Sequence, residues 1–172
     1  GLIEGVIQPG QFLTHREVGA LTGLPERAVR ELIVQLIGDG LVETAGGRSF
    51  KVASVDVSLI LNAFQLRRFL ECGAVMEFCG SVSEDELLAH RRAHEAVLEQ
   101  LTPQPSAAFR ERYYAVDRDL HMAIIAALRN PLIENAYRVN ALKIRLIRRT
   151  QVRPERFMAR TIAEHLAVID AC

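Results

Sequence analysis

Two residues four positions apart raise the question of chemistry first. Asp117 and His121 fall on one face of a predicted helix. Tyr113, Leu120, Ile124 and Leu128 share that apolar face, so both polar side chains should point inward. Burying ionisable groups is costly unless they pair or bind something. An inward Asp–His pair can grip one metal ion, and it can equally be a hydrogen-bonded core pair. His165, in a later pattern with Ile162, Leu166 and Ile169, is a candidate third ligand. Carboxylate and imidazole donors suit a divalent Zn, Ni or Mn ion better than a thiolate-seeking metal. His90 and His94 are also four apart, but Arg91 and Arg92 surround them, which reads as a solvated face. The run Lys143, Arg145, Arg148, Arg149, Arg153 and Arg156 is basic and could lie near DNA, but it reads first as a solvated helix face or dimer surface.

Long helices must position these groups. One is predicted from about Asp56 to Gly80, carrying Ile60, Phe64, Leu70, Val75 and Phe78. A second starts at the capping box Ser83–Glu86 and ends before Pro103. A third spans about Ala107–Arg129 and holds Asp117 and His121. Asn130-Pro131 caps and opens a fourth, running to about Gln151, and a fifth follows Pro154.

Residues 1–53 are built differently. Pro9-Gly10 is a turn, and Thr14–Glu17 is a capping box that starts a helix from His15 to about Thr22. Gly23 breaks it, and Pro25 suits the first turn of the next helix. There Val29, Leu32, Ile33, Leu36 and Ile37 form the buried face, and Gly38-Asp39-Gly40 ends it. Leu41–Thr44 and Ser49–Val52 read as strands around a glycine turn. Two helices joined tightly, then a hairpin, make a winged helix-turn-helix. Its first helix braces the second, whose solvent face enters the major groove. Thr14, Arg27, Arg30 and Arg48 are the candidate DNA contacts, because arginines hold phosphates and guanine edges. Two arginines on a helix can also be an ordinary solvated face.

Charge gives no support to a DNA reader. Lys plus Arg equals Asp plus Glu at 21 each. Within residues 1–53, Arg16, Arg27, Arg30, Arg48 and Lys51 face Glu4, Glu17, Glu26, Glu31, Asp39 and Glu43, so DNA contact must come from local arrangement. The 3 cysteines are Cys72, Cys79 and Cys172, an odd and sparse set that argues against a disulfide framework and for a reducing cytoplasm. Cys72 and Cys79 would lie about 10 Å apart on a helix, too far to bridge. No apolar run approaches the ~20 residues of a membrane span. Gly1 opens inside what reads as a helix end and Cys172 closes inside another, so further residues are expected beyond both.

Two segments carry a family resemblance. Gly5–Leu13, Leu21-Thr22-Gly23-Leu24, Ala28-Val29-Arg30-Glu31-Leu32 and Asp39-Gly40-Leu41-Val42 resemble the DNA reader of the GntR regulators. Arg30 matches that family's DNA-contacting arginine. Where the family has Ser-Arg-Thr-Pro, this chain has Pro25-Glu26-Arg27-Ala28, and Glu26 would repel phosphate. Asp117–His121, Arg129–Leu132, Glu164–Ile169 and the Arg67–Glu71 pattern resemble the helical FCD effector domain. The resemblance implies a metal held by an aspartate and three histidines, with an organic acid completing its coordination. Asp117, His121 and His165 match three of those four, and the fourth is expected some twenty residues past His165, beyond Cys172. Arg67 could hold an effector carboxylate bidentately, or pair at the surface with Glu71. Asn140, in a stripe with Ile133, Tyr137, Ile144 and Ile147, could line the pocket or be a satisfied buried amide.

The expected protein is mainly α, with a winged helix-turn-helix at 1–53 and an antiparallel all-helical bundle with a central cavity at 57–172. It would be a cytoplasmic homodimer that binds double-stranded operator DNA under control of a small carboxylate effector. It would not be an enzyme and would not touch a membrane. A metal-dependent hydrolase with an appended winged helix is the rival, but Asp117 and His121 are consumed as ligands and no separate nucleophile–base pair is apparent. A winged helix used only for protein contacts is the third reading.

Overall fold

The computed structural model describes residues 7–46, 49–150 and 155–172. The element order is β1 (Phe12–Thr14), α1 (His15–Thr22), α2 (Glu26–Gly38), β2 (Val42–Thr44), β3 (Ser49–Val52), α3 (Val57–Ser81), α4 (Glu84–Glu99), α5 (Ala107–Ala126), α6 (Pro131–Thr150) and α7 (Glu155–Ala171). The chain divides into two compact units, Gly1–Phe64 with Leu142–Gln151, and Gln65–Ala141 with Val152–Cys172.

In the first unit, α1 starts where sequence reading places it. The Thr14 hydroxyl accepts the Glu17 backbone N–H, and the Glu17 carboxylate accepts the Thr14 backbone N–H at 2.7 Å, closing the capping box. The Thr14 side chain is thereby held at the helix end. Its replacement by alanine is expected to cost the fold about 1 kcal/mol, read as a lower urea midpoint at unchanged slope; an unchanged midpoint would remove the cap from the account. Gly23 ends α1 at φ 69°, a left-handed conformation that glycine adopts without a Cβ penalty. Pro25 is the N-cap of α2 rather than part of its first turn. Its extended ψ of 153° and missing N–H suit the residue just before a helix.

A third strand, unforeseen in the sequence, completes the wing. The sheet is antiparallel in the order β1-β3-β2, with Leu13 opposite Phe50 and Val42 opposite Val52. These four side chains form one apolar sheet face and pack with Val18 of α1 and Val29 and Ile33 of α2. Leu32, Leu36 and Ile37 are half-buried beside them, so the exposed side of α2 carries Glu26, Arg27, Arg30 and Glu31. A second cluster joins Ala63 of α3 to Ile144 and Ile147 of α6.

The second unit is all helix. Ser83 and Glu86 form the capping box of α4, and Asn130 Oδ1 accepts the Leu132 N–H at 3.0 Å to cap α6. α5 stops at Ala126, short of the predicted Arg129, because Arg129 turns left-handed (φ 48°) before the Asn130 cap. One core joins Ala74 and Phe78 of α3, Leu120, Ile124 and Ile125 of α5, Tyr137 of α6 and Ile169 of α7. Another joins Val97, Phe109, Tyr113, Met158 and Ile162. The cysteine reading is corrected in one respect: Cys79 of α3 and Cys172, just past α7, form a disulfide. Their partners lie 93 residues apart in sequence, so no local pattern signals the bond. Cys72 stays free and exposed. Among the described residues, no helix is long and apolar enough to cross a membrane.

Candidate metal centre

α5 delivers two donors from one face. Its apolar stripe is buried as the periodicity requires, with Tyr113 2% and Leu120 1% exposed, and Asp117 and His121 lie in the same stripe at 3% and 8%. His165 comes from α7, buried with Met158, Ile162 and Ile169. Donor atoms of Asp117, His121 and His165 all lie within 4.8 Å of one another. The three predicted ligands therefore converge.

The ring nitrogens form a chain of close contacts. His94 Nδ1 lies 2.7 Å from the His90 carbonyl, so that nitrogen carries the proton and Nε2 keeps its lone pair. His94 Nε2 faces His165 Nδ1 at 3.1 Å, which places the next proton on His165 Nδ1. His165 Nε2 then presents a lone pair to His121 Nε2, 3.1 Å away. On its other side His121 Nδ1 approaches Glu71 Oε1 at 2.9 Å. The approach is off the line of a good hydrogen bond, and Nδ1 has no aligned partner. The carboxylate charge nonetheless favours the proton on that nitrogen. With the proton on His121 Nδ1, two imidazole lone pairs point at each other, an arrangement that favours a cation between them; with it on Nε2, His121 donates to His165 Nε2. Nitrogens bound to one zinc at about 2.0–2.1 Å with a tetrahedral angle lie roughly 3.3 Å apart. The donor set fits a divalent ion.

Around the donors lies a buried polar frame. Glu71 Oε1 accepts from Arg67 Nε at 2.7 Å and from the Tyr137 hydroxyl at 2.5 Å. The Arg67–Glu71 pair is therefore not on the surface; the two side chains keep only 12% and 18% exposure. Burial pushes the Glu71 carboxyl up, but His121, Arg67 and Tyr137 together hold it below the usual carboxylate range. Burial opposes the charge of Arg67, while Glu71 and Asp117 hold its pKa above the ordinary arginine value. Burial, with Glu71 adding to it against Arg67, raises the Tyr137 phenol. Asn140 is also buried, 2% exposed.

His165 is pushed down to about 3, by burial first and by His121 next, with Asp117 acting against them. The consequence for the metal-free chain has a definite sign. Above 6.5 the ring is neutral in both folded and unfolded states. Below 6.5 the unfolded chain takes up a proton that the folded chain refuses, so stability falls by at most about 1.4 kcal/mol per pH unit. The urea midpoint of chelator-stripped protein is expected to drop between pH 7 and pH 5 by more in the wild type than in His165→Gln. Equal drops would mean that His165 is not held neutral.

Sequence reading missed His94. It is 1% exposed, not solvated, and it fixes the tautomer of His165. The stripe Leu87, His90, His94, Val97 and Leu101 contains the signal that the flanking arginines obscured. On α2, Arg30 Nη2 bonds Glu26 Oε1 at 2.6 Å and Arg27 Nε bonds Glu31 Oε1 at 3.0 Å. Both candidate DNA-contacting arginines of that helix are thus exposed but paired with acidic neighbours. Arg48, the wing candidate, and Arg153 of the basic run lie outside the described residues.

A family model described as the FCD domain matches residues 62–172, the larger part of the chain. Among solved structures, E. coli McbR/YncC superposes with a TM-score of 0.76 at 19% identity, over 97% of this chain and 79% of that one. A putative GntR transcriptional regulator from Rhodococcus sp. RHA1 gives 0.71 at 22%, over 97% and 78%. Lar, described as controlling the Listeria monocytogenes agr system, gives 0.52 at 13%, over 97% and 85%. No curated protein matches the chain. The chain belongs to the FCD domain family, and it has the fold of the GntR-type structures.

Proposed function

We propose that this protein is a cytoplasmic transcriptional regulator whose operator binding is controlled by a small carboxylate bound at a divalent metal ion. Residues 1–53 act as the DNA reader, and residues 57–172 as the sensing and dimerising domain. Asp117, His121 and His165 hold the ion, which is Zn, Ni or Mn. When bound, it supplies a Lewis-acidic position for a carboxylate oxygen. Arg67 gives its Nε to Glu71, and its Nη groups are the proposed donors to the effector carboxylate. Asn140 contributes to the same pocket. His94 holds His165 with one nitrogen turned toward the ion.

The observation that carries the reading is the convergence of the His121 and His165 ring nitrogens, 3.1 Å apart, on buried Asp117. A ligand that binds there changes DNA affinity, and DNA changes ligand affinity by the same factor. On the DNA side, a homodimer reads a near-palindromic site, since two-fold symmetry doubles the contacts of a weak module. Fluorescence anisotropy on duplexes selected from genomic fragments tests this part. Affinity should fall linearly with salt on logarithmic axes, by a slope of about −0.9 per phosphate contact. Absence of salt-sensitive binding would favour a module for protein contacts, the reading that the Glu26–Arg30 and Arg27–Glu31 pairs otherwise support.

A further inference from the structure

The Cys79–Cys172 disulfide joins the two helices that flank the donor set. Its Cα atoms lie 4.6 Å apart, within the ordinary reach of such a bond. On α3, Cys79 lies about two turns beyond Glu71, whose Oε1 is 2.9 Å from His121 Nδ1. Cys172, just past α7, lies about two turns beyond His165. Past Leu166, the end of α7 is held by buried Ile169, by an exposed ion pair of Asp170 with Arg91, and by the disulfide. Exposed ion pairs contribute little, and helix ends are the first parts of a fold to open. The covalent bond is therefore a main restraint on this end of the helix. Both cysteines are half-buried at the edge of the core, so a small thiol can reach the bond.

We infer that Cys79 and Cys172 form a reversible thiol–disulfide switch that sets the metal affinity of the Asp117, His121 and His165 site. The inference rests on the metal reading above and adds a control to it. Disulfides in cytoplasmic chains are usually transient and redox-sensing. Here the bond closes a ring through α3 and α7, and so keeps His165 in register with the α5 donors. Opening it frees the end of α7 to fray toward His165, and the donors converge in a smaller share of molecules. The co-reactant is a small monothiol of the glutathione class. Its thiolate attacks one sulfur of the bond, and the other cysteine leaves as a thiolate that takes up a proton. A second monothiol resolves the mixed disulfide. Two electrons pass to the protein, giving two cysteine thiols and one molecule of the small disulfide. That small disulfide drives the reverse sequence. By linkage, bound metal favours the closed bond by the same factor by which the bond favours metal.

The test uses the whole chain with Cys72→Ala, which removes the exposed free thiol and leaves one possible pair. Zinc affinity is measured by competition with a chromophoric chelator. The oxidised chain is compared with one that also carries Cys79→Ser and Cys172→Ser, so neither protein offers a free thiol to the metal. The oxidised chain should bind zinc about fivefold or more tighter. A second open form, reduced and capped with iodoacetamide, should match the serine variant and guards against a folding defect in it. Without metal or denaturant, alkylation and mass measurement should find the bond formed in glutathione disulfide and opened in excess glutathione. If closed and open forms bind zinc equally, the bond is a staple and only this inference falls. It falls likewise if the folded chain neither forms nor opens the bond in these buffers. If no form binds zinc, the metal reading falls and takes the switch with it.

Discussion

Replacing Glu71 by alanine is expected to lower the unfolding free energy by about 3 kcal/mol, measured as a urea midpoint shift at neutral pH. Glu71 is the common acceptor of Arg67 and Tyr137, and its Oε1 lies 2.9 Å from His121 Nδ1. Breaking a buried ion pair by removing one partner typically costs 3–5 kcal/mol, because the other charge is left uncompensated. The residual exposure of both side chains puts this pair near the low end. Replacing both members, Arg67→Met with Glu71→Leu, should recover a large part of the loss, since a buried pair is worth little against apolar packing. A single mutant as stable as the wild type would show that the frame around the donors is not held by Glu71.

Arg30→Ala is expected to weaken binding to a selected duplex by roughly 5- to 150-fold, the span of about 1–3 kcal/mol for loss of a guanine contact. In the free chain Arg30 is engaged by Glu26 at 2.6 Å. Solvent-exposed pairs of this kind contribute about 0–1 kcal/mol, so DNA can displace Glu26 at small cost. Glu26→Gln removes that competitor together with a negative charge facing phosphate. It should tighten binding several-fold at low salt and steepen the loss of affinity with added salt, because a repulsion that salt would screen is gone. If both substitutions leave affinity and salt dependence unchanged, α2 does not read DNA.

Much of this architecture is legible where local chemistry is strong. The caps Thr14, Ser83 and Asn130 place three helix starts, because a side-chain oxygen satisfies backbone N–H groups within three residues of itself. The inward turn of Asp117 and His121 follows from their phase within a strongly apolar helix face. What stays hidden depends on distant partners. β1 is only three residues long and is stabilised by pairing with β3, so its own sequence shows no alternation. His94 is placed by helix phase and by His165, 71 residues away, while its sequence neighbours are arginines that suggest water. Arg67–Glu71 is visible as a spacing, but its burial is set by Tyr137 and His121 from other helices. The Cys79–Cys172 bond has no local signature at all.

The most direct test of the metal centre is the metal content of the chain, purified without a nickel column and measured by inductively coupled plasma mass spectrometry. Wild type and His121→Ala should be compared after loading with zinc, nickel or manganese and desalting. About one ion per wild-type chain is expected, and its loss in His121→Ala, because one of the two converging imidazole ligands is gone. Metal-free wild-type protein after every loading, or equal metal in both proteins, would contradict it and leave Asp117, His121 and His165 as a hydrogen-bonded core.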